Sequence, residues 1–479
     1  MTTVLAIDQG TSGTKAIVTD TVDGTLAIAE ETVRPTYLDG GGVEQNPAEL
    51  LDSVLNAGRR AVTAAGRPID AVALANQGET VLAWDPDTGR PLTQALVWQD
   101  RRAESVCAGL AEHAASVAER TGLVLDPYFS APKMAWLRRN LTTEGVVTTT
   151  DTWLVHHLTG AFVTDVTTAS RSLVLGLDAV DWDPELLALF GLQDERLPRI
   201  VACDEVVGTT RAFGAEVPVA GLVVDQQAAL LAEGCLTPGT AKCTFGTGAF
   251  LLANTGDNAV RSSAGLTTSV AWRAAGSTPY CVDGQVYTAA SAIRWIQDLG
   301  FIDAATDLDK VAARDAEGVL CVPALAGLAA PWWRPDATAT FTGMCLSTRR
   351  EHLVLAVLQG IAAQVAELCR LVEADLGAPM TRLRADGGLT NSRALMQAQA
   401  DLAQIPVDIY PSAHATPLGA AALARLALTP GLTVADAVGD WRPTTVYEPR
   451  WSADRAADFR ARWAEAAATA AGTERGTAR

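Results

Sequence analysis

The sequence predicts an α/β protein built from two large domains of related design, and three observations carry that expectation. The chain has 479 residues, too many for one core at ~100–200 residues per domain. Apolar β-type runs alternate with segments whose apolar residues recur at helical spacing. A short hairpin rich in glycine and threonine occurs near the N-terminus and again, in similar form, near the middle.

The first hairpin opens the chain. Val4 to Ile7 form a β-type run, Asp8 to Lys15 make a polar tip with two glycines, and Ala16 to Val18 leave as a second run. Glycines allow close backbone approach, successive N–H groups and the Thr11 and Ser12 hydroxyls can donate to phosphate oxygens, and Lys15 adds charge. Asp8 could hold magnesium through water. An ordinary tight hairpin explains the same residues, and the tip is not the GxxxxGK[ST] loop that opens a helix.

Residues 1 to 30 read as consecutive strands, and Asn46 to Ala65 as a helix with Pro47 in its first turn. Ala71 to Ala75 form a strand ending in Asn76, Gln77, Gly78 and Glu79, and Val81 to Trp84 resume it. After a turn at Asp85 to Gly89, Val97 and Trp98 lead to the polar cluster Gln99 to Arg102, where strand ends in α/β folds place ligand contacts; a solvated helix start suits at least one of the two arginines. Residues 103 to 160 are expected to be mostly helical, broken at Asp126 to Tyr128, with an amphipathic helix over Asp151 to Thr159. His156 and His157 are adjacent, so they cannot ligate from one helix face, and packing is expected of both.

Gly221 to Leu230 delivers Asp225 from a strand to a helix start, as a functional carboxylate or as a plain N-cap. The second hairpin follows, with Gly239 to Thr244 and Ala249 to Leu252 flanking Phe245, Gly246, Thr247 and Gly248. Two such hairpins can grip one nucleotide from both sides. Asp283 to Leu299 passes from strand to helix, Val322 to Trp333 is a Gly/Pro-rich loop whose tryptophans pack, and Glu351 to Ala374 is a long helix. Leu383 to Asn391 is a strand, a double glycine (Gly387, Gly388) and a helix start, where a base or phosphate could lie or where the chain simply turns. Val407 to Ala427 repeats strand, turn and helix; residues 453 to 471 form a last helix, and Gly472 to Arg479 read as a frayed tail.

Composition narrows the function. The net charge of -18 argues against nucleic acid or an anionic membrane surface as partner. The 8 cysteines are scattered without metal spacing or a disulfide framework and read as small buried hydrophobes. No apolar run approaches ~18 residues without a charge and no leader pattern precedes the first strand, so a cytoplasmic protein is expected.

Taken together, DQGTSGTKA (8–16), VWQDRR (97–102), LDPYFSAPKMAWL (125–137), DTWLVHHLTG (151–160), TDVTTASR (164–171), DQQAAL (225–230), FGTGAFLLANTG (245–256), PALAGLAAPWW (323–333) and DGGLTNSRALMQAQAD (386–401) give the chain a close resemblance to the FGGY carbohydrate kinases, and within them to the glycerol kinases. The resemblance implies two duplicated actin-like (ribonuclease H-like) ATPase domains flanking a catalytic cleft. The N-terminal one spans 1–238 and the C-terminal one 239–479, with the last helix, 453–471, packing back on the N-terminal domain. It implies transfer of phosphate from ATP, with Mg2+, to a terminal hydroxyl of a small polyol or sugar, in a protein that forms a homodimer. Asp225 aligns with the general base; Gly78, Glu79, Tyr128 and Gln226 border the acceptor; Asp8 serves magnesium through water. Thr11, Ser12, Lys15, Gly246 and Thr247 line the phosphate path, and Gly387, Gly388 and Asn391 border the adenosine.

One departure stands out. Gly78 occupies the place where glycerol kinases carry an arginine that closes the pocket, which points to a four- or five-carbon polyol. Ala329 and Ala339 put allosteric control of the bacterial type in doubt. A ketose kinase of xylulokinase or ribulokinase type is the alternative, and a non-catalytic nucleotide-dependent regulator a more distant one.

Overall fold

The computed structural model describes residues 2–472; all but the first residue of the expected frayed tail lies outside them. Two sheets repeat one plan. In the first, β1 (Val4–Gln9), β2 (Gly13–Asp20), β3 (Gly24–Thr32), β4 (Ala71–Asn76) and β5 (Val217–Val224) lie in the order β3-β2-β1-β4-β5. In the second, β6 (Ala241–Phe245), β7 (Ala249–Gly256), β8 (Tyr280–Val286), β9 (Leu383–Asp386) and β10 (Val407–Ile409) lie in the order β8-β7-β6-β9-β10. The pairings match as well. β1 runs antiparallel to β2 and parallel to β4, and β6 runs antiparallel to β7 and parallel to β9. The sequence echo of the hairpins is thus an echo of whole sheets, and both tips emerge at the ends of central strands that are apolar because both their faces are covered.

The helices are α1 (Pro47–Ala65), α2 (Asp225–Ala232), α3 (Arg350–Leu376), α4 (Ala415–Leu428) and α5 (Ala453–Ala470), with shorter ones between. α1 starts as its sequence dictates: Pro47 takes the first turn, the Asn46 side chain accepts from the Ala48 amide at 2.9 Å, and Gly66 ends it with φ 64°. α3 is long and apolar enough to cross a membrane, but 83% of its most apolar window is buried inside the protein, as befits a core helix.

Three expectations are corrected. After Glu79 the chain does not resume β4: Gly78 (φ 70°) and Glu79 (φ 46°) turn it away, and Val81–Trp84 joins a separate five-stranded sheet with Thr36–Leu38, Gly42–Gln45, Ala95–Leu96 and Val146–Thr149. The last helix, α5, does not return to the first half. Phe459, Trp463 and Ala467 form a stripe buried in the second half's core, and the Trp463 indole donates to the Cys321 carbonyl at 2.8 Å. The segment that does return is α4. Its run Ala420–Ala424 is apolar all round and needs cover on every side, which it finds between the first sheet and α2. The approach is tight: a Cβ at Gly221 would lie 2.5 Å from the Ala420 carbonyl oxygen, and one at Gly419 would lie 2.0 Å from that of Ala228. Finally, seven cysteines are buried but Cys345 is exposed.

Other packing roles hold. His156 lies against Trp84 at 4.8 Å and His157 against Trp153 at 4.7 Å; the Asp151 to Thr159 helix buries most of its residues and exposes His157 on its outer edge. Trp332 and Trp333 pack as expected, the first on Trp463 and the second through a 2.8 Å bond to the Gly265 carbonyl.

Candidate active site

A cleft of about 950 Å³, open to solvent, lies between the two sheets where the hairpin tips face each other. The first half lines it with Thr11, Ser12, Gln77, Glu79, Tyr128, Arg171, Asp225 and Gln226, and the second with Gly246, Thr247, Phe250 and Asp283. Most residues singled out from the sequence therefore meet in one place.

Asp225 arrives there at the end of β5, as the first residue of α2. Val224 holds the cap position without any side-chain bond, so Asp225 does not serve as an N-cap. Burial pushes its carboxyl up to about 6, while the Lys242 and Arg171 charges and bonds from Gln226 act against that rise. Gln226, beside it, accepts from the Lys242 ammonium at 2.6 Å, and Lys242 also donates to the Thr244 hydroxyl at 2.7 Å.

Glu79 is delivered by the strained turn described above, and a short web holds it in register with Asp225. The Asn76 side chain accepts from the Gly78 amide at 2.8 Å and donates to the Thr168 hydroxyl at 3.1 Å. The Thr167 hydroxyl accepts from the Val224 amide at 2.8 Å. Helix Val166–Ala169 is itself capped by Asp165, which accepts from the amides of Thr167 and Thr168. Arg171, two residues beyond this helix, donates to the Glu79 carboxylate. Left-handed φ at a glutamate costs of order 1–3 kcal/mol and is typical of functional sites.

Tyr128 sits on a loop wound around a buried ammonium: Lys133 donates to the carbonyls of Pro127 at 2.8 Å, Tyr128 at 2.5 Å and Phe129 at 2.6 Å. Its ring meets Trp98 at 5.5 Å, edge to face, and the Arg171 guanidinium lies 5.6 Å from it.

At the first tip, Asp8 pairs in register with Lys15. Burial first, then the Asp225 charge, lift its carboxyl to about 7 against the pull of Lys15. Lys15 reaches Glu30 at 3.3 Å and does not line the cleft. Thr11 is tied from two sides, its hydroxyl accepting from the Trp98 indole at 2.8 Å and its carbonyl from Gln45 at 2.7 Å. At the second tip, Ala289 donates to the Thr247 carbonyl at 2.9 Å and Ala290 to that of Gly246 at 3.0 Å.

Gly387, Gly388 and Asn391 stand apart from this cleft. Gly388 and Asn391 line a neighbouring cavity of about 560 Å³ with Thr306, Asp309 and Ser392. Gly387, at φ 93°, lies under the second hairpin, where a Cβ would be 2.5 Å from the Phe245 carbonyl oxygen. Of the Gln99 to Arg102 cluster only Gln99 lines the cleft. Arg101 pairs with Glu104 and Asp126, and Arg102 with Asp100 and Glu44.

Sequence reading missed Arg171, Lys242, Asp283, Trp98 and Phe250 as parts of the site. Arg171 and Lys242 carried a faint signal, since each is a charge inside an otherwise apolar or hydroxyl-bearing run; Asp283 carried none beyond its place in a strand.

Sequence profiles of the FGGY family of carbohydrate kinases match this chain twice, the N-terminal domain over residues 3–232 and the C-terminal domain over 241–428. A glycerol kinase of Alkalilimnicola ehrlichii is 41% identical over 500 residues, covering 99% of each chain. Glycerol kinase 2 of Thermotoga maritima is 37% identical over 494 residues, covering 98% of this chain and 99% of its own. The crystal structure of Plasmodium falciparum glycerol kinase with ADP superposes with a TM-score of 0.90 at 30% identity, over 98% of both chains. A ligand-bound xylulose kinase of Lactobacillus acidophilus, at 20% identity and a TM-score of 0.88 over 97% of both chains, shares the fold. The chain belongs to the FGGY family of carbohydrate kinases and is an ATP-dependent kinase of a polyol or sugar.

Proposed function

With FGGY membership as the premise, we propose that this kinase phosphorylates a terminal hydroxyl of a small polyol, and that a four- or five-carbon polyol is a better acceptor than glycerol. The observation that carries the reading is the convergence of Asp225, Glu79, Tyr128 and Gln226 on one cleft facing both hairpin tips. Domain I is taken to end near residue 238, in the turn between α2 and β6.

A primary hydroxyl is a poor nucleophile at neutral pH and needs a base within hydrogen-bond reach. Asp225 suits that role: a carboxyl near 6 is still ionised at pH 7, and the N-terminus of α2 favours its charge. Glu79 and Gln226 accept from or donate to the acceptor's other hydroxyls, and Tyr128 with Trp98 and Phe250 walls the carbon chain. At the tips, the amides of Thr11, Ser12, Gly246 and Thr247, with the hydroxyls of Thr11, Ser12 and Thr247, face the phosphates, Lys15, paired with Glu30 outside the cleft wall, adds charge only from behind the tip, and Gly387, Gly388 and Asn391 border the adenosine.

Asp8 would hold magnesium through water. Among the described residues no hydrogen bond takes its carboxylate, and no cluster of three or more acidic, histidine or cysteine side chains forms a cage, so the ion would be shared with the ATP phosphates. When bound, magnesium neutralises charge developing on the transferred group.

The acceptor preference rests on Gly78. A Cβ there would look across at Val224, 3.4 Å away, on the cleft wall. Gly78 lies behind Val224 and does not itself line the cleft; on this reading the missing side-chain donor is replaced by a further CHOH unit of the acceptor, and glycerol would leave polar groups of the pocket unpaired. ADP release measured over C3 to C6 polyols and ketoses tests both parts. A tetritol or pentitol should give the highest kcat/KM; glycerol as the best acceptor would overturn the preference, and a best ketose would overturn the polyol class.

A further inference from the structure

The pocket that grips the acceptor belongs to the first half of the chain, yet one of its charges is held from the second. Arg171 is a fork with two carboxylates on it. One is Glu79, and the other is Asp283 on β8, reached by Nη1 at 3.1 Å. The side chains are nearly dry, with 6% of Arg171, 2% of Glu79 and 7% of Asp283 exposed. Next to it the Val270 amide, also from the second sheet, donates to the Ser170 hydroxyl at 3.1 Å, so this crossing point is a built contact on two adjacent residues.

Geometry rather than charge balance explains the fork. Held by Glu79 alone, the guanidinium would have one bonded edge and could turn about it toward the aromatic faces of Tyr128 and Phe129, which lie 5.6 and 5.5 Å from it. A second carboxylate on the far side removes that freedom, because a planar guanidinium bonded at two edges has one orientation. The turn and its web place the Glu79 backbone, and Arg171 then fixes the orientation of the carboxylate.

We propose that Asp283 is a positioning residue for the acceptor: by holding Arg171 from across the cleft it sets the Glu79 carboxylate, so that grip on the acceptor depends on how the nucleotide-binding half sits against the acceptor-binding half. The proposal rests on the reading of Glu79 as an acceptor ligand and extends it to Asp283, which lines the same cleft but acts on the acceptor through Arg171.

Steady-state kinetics of Asp283→Asn against wild type, over acceptors of different length, test it. The expected result is a fall of roughly 10²-fold in kcat/KM for every acceptor, carried mainly by acceptor KM, as expected for truncating a buried charged partner, with ATP KM changed less than about twofold. Asp283→Glu, which keeps a carboxylate within reach of Arg171, should recover most of the loss. Acceptor-induced thermal stabilisation should shrink in Asp283→Asn and return in Asp283→Glu. Unchanged acceptor kinetics, a loss confined to long acceptors, or equal loss for ATP and acceptor would each overturn the proposal; the second would mean direct contact and the third a general structural role. If Asp283→Asn is insoluble, Arg171→Lys replaces it, since an ammonium keeps the charge but not the two-edged fork, and the same outcomes apply. A wild-type enzyme inactive on the whole acceptor panel would instead sink the functional reading, which keeps the two failures apart.

Discussion

At the first hairpin tip the strand ends carry acids. Asp8 lies opposite Lys15, Asp225 is near enough to raise its carboxyl, and the tip is braced by side chains, with Trp98 on the Thr11 hydroxyl and Gln45 on the Thr11 carbonyl. The second tip, of the same topology, has no acid on the hairpin itself, its one neighbouring strand-end acid being Asp386 beside Thr244, and is braced by backbone, the amides of Ala289 and Ala290 occupying the carbonyls of Thr247 and Gly246. Duplication has therefore given one scaffold and two chemistries. In the proposed reaction the acidic tip would handle protons and a metal ion, and the backbone tip would offer amides whose carbonyls are already turned away. The first should be sensitive to charge and the second to shape.

The largest effect expected from that contrast is at the base. Asp225→Asn should lower kcat by roughly 10²–10⁴ with the fold intact, and wild-type turnover by this variant would remove the acid–base role from the first tip. Asp8→Asn should weaken the apparent affinity for magnesium about 10–100-fold, as for other residues that reach a metal through its ligands; a magnesium titration of kcat/KM should show the midpoint raised, and an unchanged midpoint would refute the metal role.

Next comes pH. With its carboxyl raised to about 6, Asp225 binds a proton in the fold that the unfolded chain has already released. The free enzyme's kcat/KM should rise about tenfold per pH unit up to about 6 and then level. Stability runs the other way: the unfolded state binds fewer protons between about 4 and 6, so this residue's contribution is complete below the unfolded value and is lost as pH rises through about 6. Thermal melts of wild type and Asp225→Asn at pH 4 and pH 8 should show the variant gaining relative stability only at pH 8.

The smallest effects belong to the shape-sensitive tip, and there two neighbouring glycines should differ. A Cβ at Gly248 would lie 2.4 Å from the Val286 carbonyl oxygen, whereas at Gly246 the nearest atom is the Gly248 oxygen at 3.8 Å. Gly248→Ala should cost about 1–3 kcal/mol and raise ATP KM, while Gly246→Ala should stay within about 0.5 kcal/mol. Equal effects of the two would mean that backbone fit does not govern this tip.

Much of this was legible in the sequence, because it is written locally. Alternating apolar runs, Pro47 after Asn46 and two Gly/Thr tips fix strands, helix starts and hairpins from short-range chemistry alone. Asp225, Glu79 and Tyr128 stood at element ends, where ligands are met. What escaped depends on contacts distant in the chain. Arg171 and Asp283 are separated by 112 residues and neither advertises the other. The destination of Val81 to Trp84 was hidden because two left-handed residues redirect a run that otherwise reads as a continuing strand. The two terminal helices were exchanged for a similar reason: both are alanine-rich, and only the width of the apolar surface, all round in α4 and a single stripe in α5, tells which one lies between two layers.

That inserted helix has a consequence for how the protein is made. Residues 1 to 232 leave the ribosome long before Ala415 is synthesised, yet Ala73, Gly221 and Ala228 are covered only once α4 has docked. The first half thus waits, with part of its sheet bare, while about 190 further residues are made, and the closing contact has a sequence separation of about 190 residues or more. A nascent chain stalled before residue 415 presents an apolar sheet face to solvent, whereas one that loses only the last helix retains a complete first half and damages the second alone.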